Sequence, residues 1–131
     1  MNQLPIGAGD DVVRVRQQVR AAAASAGMSL IDQTKLVTAA SELARNTLIH
    51  GGGGAATIEQ VTSPRGRPGI RVAFSDTGPG IADTGLALTD GWTTGNGLGL
   101  GLSGARRLVD EFELETAAGS GTRVVVTKWS R

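Results

Sequence analysis

Glu42 and Asn46 stand four residues apart in the segment Ser41-Glu42-Leu43-Ala44-Arg45-Asn46. On a helix that spacing puts both side chains on one face, and the face borders the apolar stripe rather than opposing it. A carboxylate and an amide oxygen aimed together at a cleft can hold a hard cation and orient a nucleophile. On a solvated helix face the same pair has no such role. A second cluster, Asp76-Thr77-Gly78-Pro79-Gly80, follows a strand pattern. An Asp at a strand end can accept a hydrogen bond from an exocyclic amine, and the glycines let backbone approach a flat ring. A plain Asp-x-Gly turn is the alternative. The third cluster, Gly95-Asn96-Gly97-Leu98-Gly99-Leu100-Gly101-Leu102, runs into a helix. Its glycines expose backbone N–H groups, and a helix N-terminus favours anions, so the segment is built as a phosphate cradle. The alternating leucines argue for an anchored loop rather than a flexible one.

Two other phosphate motifs fail. A P-loop needs Gly-Lys-Ser or Gly-Lys-Thr, but the lysines are Lys35 and Lys128 and neither follows a glycine. Gly99-Leu100-Gly101-Leu102-Ser103-Gly104 matches G-x-G-x-x-G, but Asp90-Gly91-Trp92-Thr93-Thr94 precedes it where a dinucleotide fold needs a strand.

Composition narrows the chemistry. The 131 residues fit one domain, 1–131, with 13 basic and 12 acidic side chains. The formal charge of +1 gives no pull towards nucleic acid or an anionic membrane. The absence of Cys excludes disulfides, thiolate metal sites and a cysteine nucleophile. The lone His50 excludes a multi-histidine metal site and argues against a Ser-His-Asp triad. Short apolar runs and an N-terminus without a basic, then apolar, start predict a soluble, cytoplasmic protein with no membrane insertion. Of 20 glycines, 15 lie between Gly51 and Gly104, in clusters that suggest backbone brought close to something.

The elements that must hold these clusters follow from periodicity. Residues 4–6 read as a short edge strand. Asp10 and Asp11 read as N-cap signals for a helix through Val12, Val15, Val19, Ala22 and Ala23, ended by Gly27. Ser29 or Asp32 starts a second helix, with Leu36, Val37, Ala40, Leu43, Ala44 and Leu48 as its stripe and Gly51 as its stop. Strands are expected over Ala56–Val61 and Ile70–Ser75, around a Pro64–Gly69 turn. Residues 76–97 read as irregular. A helix is expected from Leu98 to about Phe112, then a hairpin of Glu113–Ala117 and Thr122–Trp129. The sum is an α+β, two-layer sandwich.

Taken in order, the clusters resemble the N, G1 and G2 boxes of the GHKL (Bergerat-fold) ATPase and kinase superfamily. Gly119-Ser120-Gly121-Thr122 resembles its last glycine motif. The match runs over roughly residues 30–129. Ser41–Asn46, Arg107-Leu108-Val109-Asp110-Glu111-Phe112 and Lys128-Trp129 place the chain nearest the small anti-sigma-factor kinases, among the switch kinases of stressosomes.

That resemblance implies a mixed, mostly antiparallel sheet covered by helices, with ATP and Mg²⁺ as cofactors. Glu42 resembles the general base that would act on a Ser/Thr hydroxyl, and Asn46 the Mg²⁺ ligand that bridges metal and phosphates. Asp76 resembles the residue that bonds the adenine amine, aided by Thr122, with Gly78 and Gly80 along the base. Gly95, Gly97, Leu98, Gly99, Leu100 and Gly101 resemble the phosphate-binding end of a lid that begins near Asp83. STAS-domain proteins are the implied substrates, and a phosphatase regulatory domain the implied second partner. In related anti-sigma factors the first strand and helix form a homodimer contact; here that strand looks shortened, which leaves oligomeric state open. An anti-sigma factor that sequesters a sigma factor and a non-catalytic nucleotide sensor are the rival functions. A γ-phosphate role for Arg45, Arg106 or Arg107 is open, as is the choice between core and partner contact for Trp92 and Trp129.

Overall fold

A computed structural model describes residues 2–79, 102–116 and 119–130. Five strands form one sheet: β1 (Asn2–Ile6), β2 (Gly54–Thr62), β3 (Pro68–Asp76), β4 (Glu111–Thr116) and β5 (Thr122–Trp129). Their order is β1-β2-β3-β5-β4, and each of the four pairings is antiparallel. Among the described residues three helices, α1 (Gly9–Ser25), α2 (Leu30–Ile49) and α3 (Leu102–Leu108), lie in the second layer. The α+β two-layer expectation holds.

Period-two alternation sorts the sheet's faces. Ile70, Val72 and Phe74 of β3 and Val124 and Val126 of β5 turn inward, each no more than 2% exposed. They meet Val15 and Val19 of α1 and Leu36, Ala40 and Leu43 of α2 in one apolar core. Full burial of a side chain such as Phe74 contributes about 1.5–3 kcal/mol relative to exposure. The opposite face carries Glu59, Arg71, Arg123 and the row Glu111, Glu113, Glu115, in which Arg71 pairs with Glu59 at 3.9 Å and Arg123 with Glu115 at 3.8 Å. Trp129 lies half-buried on that face. A Cβ on Gly69 would overlap its ring, and its indole N–H donates to Glu111 Oε2 at 3.1 Å.

Three boundaries depart from expectation. The first helix is not capped by Asp10 or Asp11; its N-cap is Ala8, and Asp11 reaches back one turn to accept from the backbone N–H groups of Gly7 and Ala8. The short edge strand is longer than expected and pairs over its whole length with β2, from Asn2↔Ile58 to Ile6↔Gly54. The helix expected to run to Phe112 stops at Leu108, and β4 begins at Glu111. Asp110 causes the stop: its N–H bonds Thr127 O at 3.0 Å and its Oδ2 accepts from Trp129 N at 2.7 Å, which draws the chain onto β5. Phe112, Leu114 and Thr116 then face inward between three exposed glutamates, a two-residue period that overrides the helical reading. Elsewhere the reading holds: Ser29 caps α2 by accepting from Asp32 N at 3.1 Å, and Gly27 ends α1 with φ +80°.

Candidate nucleotide site

α2 presents Glu42 and Asn46. Its stripe of Leu36, Val37, Ala40, Leu43 and Ala44 is buried against the sheet and α1, which fixes the helix's rotation. Glu42 falls on the flank of that stripe, partly exposed, with Oε1 3.3 Å from Arg45 Nη1. Asn46 lies further in, only 7% exposed. Among the described residues its Oδ1 is the one buried side-chain oxygen or nitrogen with no hydrogen-bond partner. A buried acceptor left unpaired costs about 1–3 kcal/mol, so an incoming group that satisfies it gains that much. An amide oxygen is a ligand type suited to a hard cation such as Mg²⁺, so the residue fits the ion expected there.

β3 delivers Asp76. It ends the inward series Ile70, Val72, Phe74 and sits opposite Gly54 on one side and Thr122 on the other. Its Oδ1 accepts from Gly78 N at 2.9 Å, an Asx turn that holds the carboxylate against its own loop. Gly121, with φ +79°, brings β5 so close that a Cβ there would overlap Asp76 O. Beside it Thr122 is 8% exposed.

Two threonines share protons at this corner. Thr116 Oγ1 donates to Gly121 O at 2.9 Å and lies 3.0 Å from Thr122 Oγ1. A hydroxyl carries one hydrogen, so with Thr116's proton on Gly121, Thr122 donates to Thr116 and keeps its own lone pairs available. An open depression of about 380 Å³ at this corner is lined by Asp76, Thr116, Gly121 and Thr122 and, towards the outer face of the sheet, by Ser75, Glu115 and Arg123.

The structure thus brings Asp76, Gly78 and Thr122 to one corner, and carries Glu42 and Asn46 on the helix whose C-terminal end abuts it. The link is Gly51: its N–H and that of His50 both bond Asn46 O, at 3.2 and 2.9 Å, and a Cβ on Gly78 would stand 2.8 Å from Gly51 Cα. His50 is the helix C-cap. Gly80, Gly95, Gly97, Leu98, Gly99, Leu100 and Gly101, the lid that begins near Asp83 and Trp92 lie outside the described residues. Sequence reasoning missed Gly51 as anything but a helix stop, and missed Thr116 altogether. The run Gly51–Gly54 was the available signal for the first; nothing in the sequence pointed to the second.

Similarity to known proteins fits this arrangement. Residues 31–130 match the model of the histidine kinase-, DNA gyrase B- and HSP90-like ATPase family. The chain is 45% identical to the serine/threonine-protein kinase RsbT of Bacillus subtilis (strain 168), over 92% of this chain and 90% of that protein. The crystal structure of the RsbU and RsbW domains of Rv1364c from Mycobacterium tuberculosis aligns with a TM-score of 0.65 and 24% identity. That alignment covers all of this chain and 33% of the other, and it speaks for the fold. The chain belongs to the histidine kinase-, DNA gyrase B- and HSP90-like ATPase family, and within it to the serine/threonine-protein kinases.

Proposed function

We propose that this protein transfers the γ-phosphate of Mg·ATP to a serine or threonine of STAS-domain proteins in the cytoplasm. In this reading it is also a partner switch: once its STAS captors are phosphorylated, it is released and activates a phosphatase by binding that enzyme's regulatory domain. The observation that carries the reading is the pairing on one face of α2 of an accessible carboxylate, Glu42, with a buried, unsatisfied amide oxygen, Asn46 Oδ1. A domain that only bound nucleotide would need the second and not the first.

Phosphoryl transfer depends on positioning and charge neutralisation more than on covalent help. Asn46 Oδ1 would hold Mg²⁺, which when bound neutralises charge on the phosphates. No group of three or more His, Asp or Glu suited to a metal stands among the described residues. Asp76 accepts a hydrogen bond from the adenine amine, supported by Thr122, with Gly78 and Gly80 beside the ring. Glu42 orients the substrate hydroxyl and takes its proton, while Arg45 steadies the carboxylate. Gly95, Gly97, Leu98, Gly99, Leu100 and Gly101 supply the phosphate-binding lid. Residues 1–131 act as one kinase domain.

The test is transfer of labelled γ-phosphate from Mg·ATP to a STAS-domain protein of the same organism, with Glu42→Ala alongside. Label on serine or threonine that disappears in the variant, while ATP binding persists, supports the reading. ATP binding without transfer by the unaltered protein refutes the kinase reading.

A further inference from the structure

The position after the His50 cap has no room for a side chain. A Cβ on Gly51 would overlap Asp76 Cγ and Oδ2 and stand 2.6 Å from Asp76 Cβ. Neither partner can step aside. Asp76 is the last residue of β3 and is paired on both sides, with Gly54 and with Thr122. Its Oδ1 is held by Gly78 N at 2.9 Å. Gly51 hangs by its own N–H from Asn46 O. Gly78 and Gly121 close on the same spot: a Cβ on the first would stand 2.8 Å from Gly51 Cα and O, and one on the second would overlap Asp76 O. Three glycines therefore form a collar around one aspartate: Gly51 packs on its carboxylate, Gly78 packs on Gly51, and Gly121 packs on its backbone carbonyl. A methyl at residue 51 could enter only by turning that carboxylate off its bond to Gly78 and also parting the two backbones, because rotation does not move Asp76 Cβ.

The geometry points to Gly51 as a positioning and specificity-determining residue for the nucleotide base, acting through Asp76. Resting on the ATP reading above, the collar holds the carboxylate where it accepts from an exocyclic amine, as adenine offers. Guanine presents a carbonyl oxygen at that place, and a fixed carboxylate repels it. A freely rotating carboxylate would discriminate poorly. The collar also ties the base end of the site to the residue that carries the metal-binding amide, because Gly51 and Asn46 share a backbone hydrogen bond.

The experiment titrates ATP and GTP, each with Mg²⁺, onto the full chain and four variants: Gly51→Ala, Asp76→Gly, their combination, and Gly9→Ala as a control where an added Cβ meets nothing within 4 Å. The unaltered protein and the control should prefer ATP by at least tenfold. Gly51→Ala should lose at least tenfold in ATP affinity and little in GTP affinity, so that the preference collapses. General loosening of the fold would weaken both nucleotides alike. In the Asp76→Gly background, where the obstructing side chain is gone, Gly51→Ala should change ATP affinity less than twofold. Should Gly51→Ala alone not fold, the combined variant must fold as Asp76→Gly does, and its failure overturns the assignment. Gly51→Ala with unchanged ATP affinity and preference overturns it too. If the unaltered protein binds neither nucleotide, the ATP reading itself falls and this inference with it.

Discussion

Lys128 Nζ lies 3.7 Å from Asp32 Oδ1, joining the inner face of β5 to the first turn of α2 across 96 positions of sequence, with the two side chains 6% and 14% exposed. Removing one partner of a buried pair leaves an uncompensated charge, which costs about 3–5 kcal/mol, whereas an apolar pair of similar volume is near neutral. The two ends are unequal. Asp32 keeps some water and the favourable field of a helix N-terminus, and Lys128 has neither. Urea unfolding should show a loss of about 3 kcal/mol for Asp32→Ala, a smaller loss for Lys128→Met, and a double variant within about 1 kcal/mol of the parent. Strictly additive losses would show that the pair does not act as one.

Asn46→Ala separates binding from folding. Deleting the unsatisfied Oδ1 relieves a buried, unpaired acceptor, and that relief offsets the packing lost with the amide. Unfolding free energy should change by less than about 1 kcal/mol while Mg²⁺-dependent ATP affinity falls at least tenfold. A loss of stability in step with affinity would recast Asn46 as a packing residue.

Thr116 is expected to act on the base pocket through its neighbours. Thr116→Val removes both the donor to Gly121 O and the acceptor for Thr122, so Thr122 must turn its proton elsewhere. One hydrogen bond of this kind is worth about 1 kcal/mol, and ATP affinity should fall roughly fivefold. Thr116→Ser, which keeps the hydroxyl, should restore it. Equal affinities for the Val and Ser variants would contradict the proton assignment.

Asp11 gives the acid limb of stability a recognisable contribution. The Gly7 N–H above all holds its carboxyl below the ordinary value of 3.8; burial opposes this, and the Ala8 N–H and the Arg14 guanidinium add to the lowering. A carboxylate with a folded-state pKa lower than its unfolded one stabilises above the unfolded value, and that stability is lost as pH falls through the folded one. Thermal unfolding should find Asp11→Asn less stable than the parent at neutral pH, with the gap closing as pH drops below 3.8. A gap of constant size would point to lost packing instead of lost charge.

The legible parts were those set by local rules. Ser29 at the start of α2, the alternation through Ile70, Val72 and Phe74, and the Thr122–Trp129 strand all follow from capping or a two-residue period. Failures came where distant contacts decide. Leu108 to Phe112 continues a plausible helix until Asp110 meets Trp129, a partner 19 residues on. Ala8 caps α1 because Asp11 folds back on it, while Asp10 and Asp11 both looked like caps. Glu42, Asn46 and Asp76 could be picked out by type and spacing. The packing of Gly51 on Asp76 could not, because a glycine leaves no chemical trace of what it avoids.

The strand order has a consequence for how the protein is made. β5 lies between β3 and β4, so the strand that flanks Asp76 is the last of the five to leave the ribosome. Until residues 119–129 emerge, the growing chain can pair β1, β2 and β3 and pack α1 and α2 on them. It still lacks Gly121, Thr122 and the far wall of the corner. A nascent or truncated chain that stops short of residue 119 therefore displays α2 without a finished corner at Asp76, and under the function proposed above it gains affinity for nucleotide only once β5 has emerged.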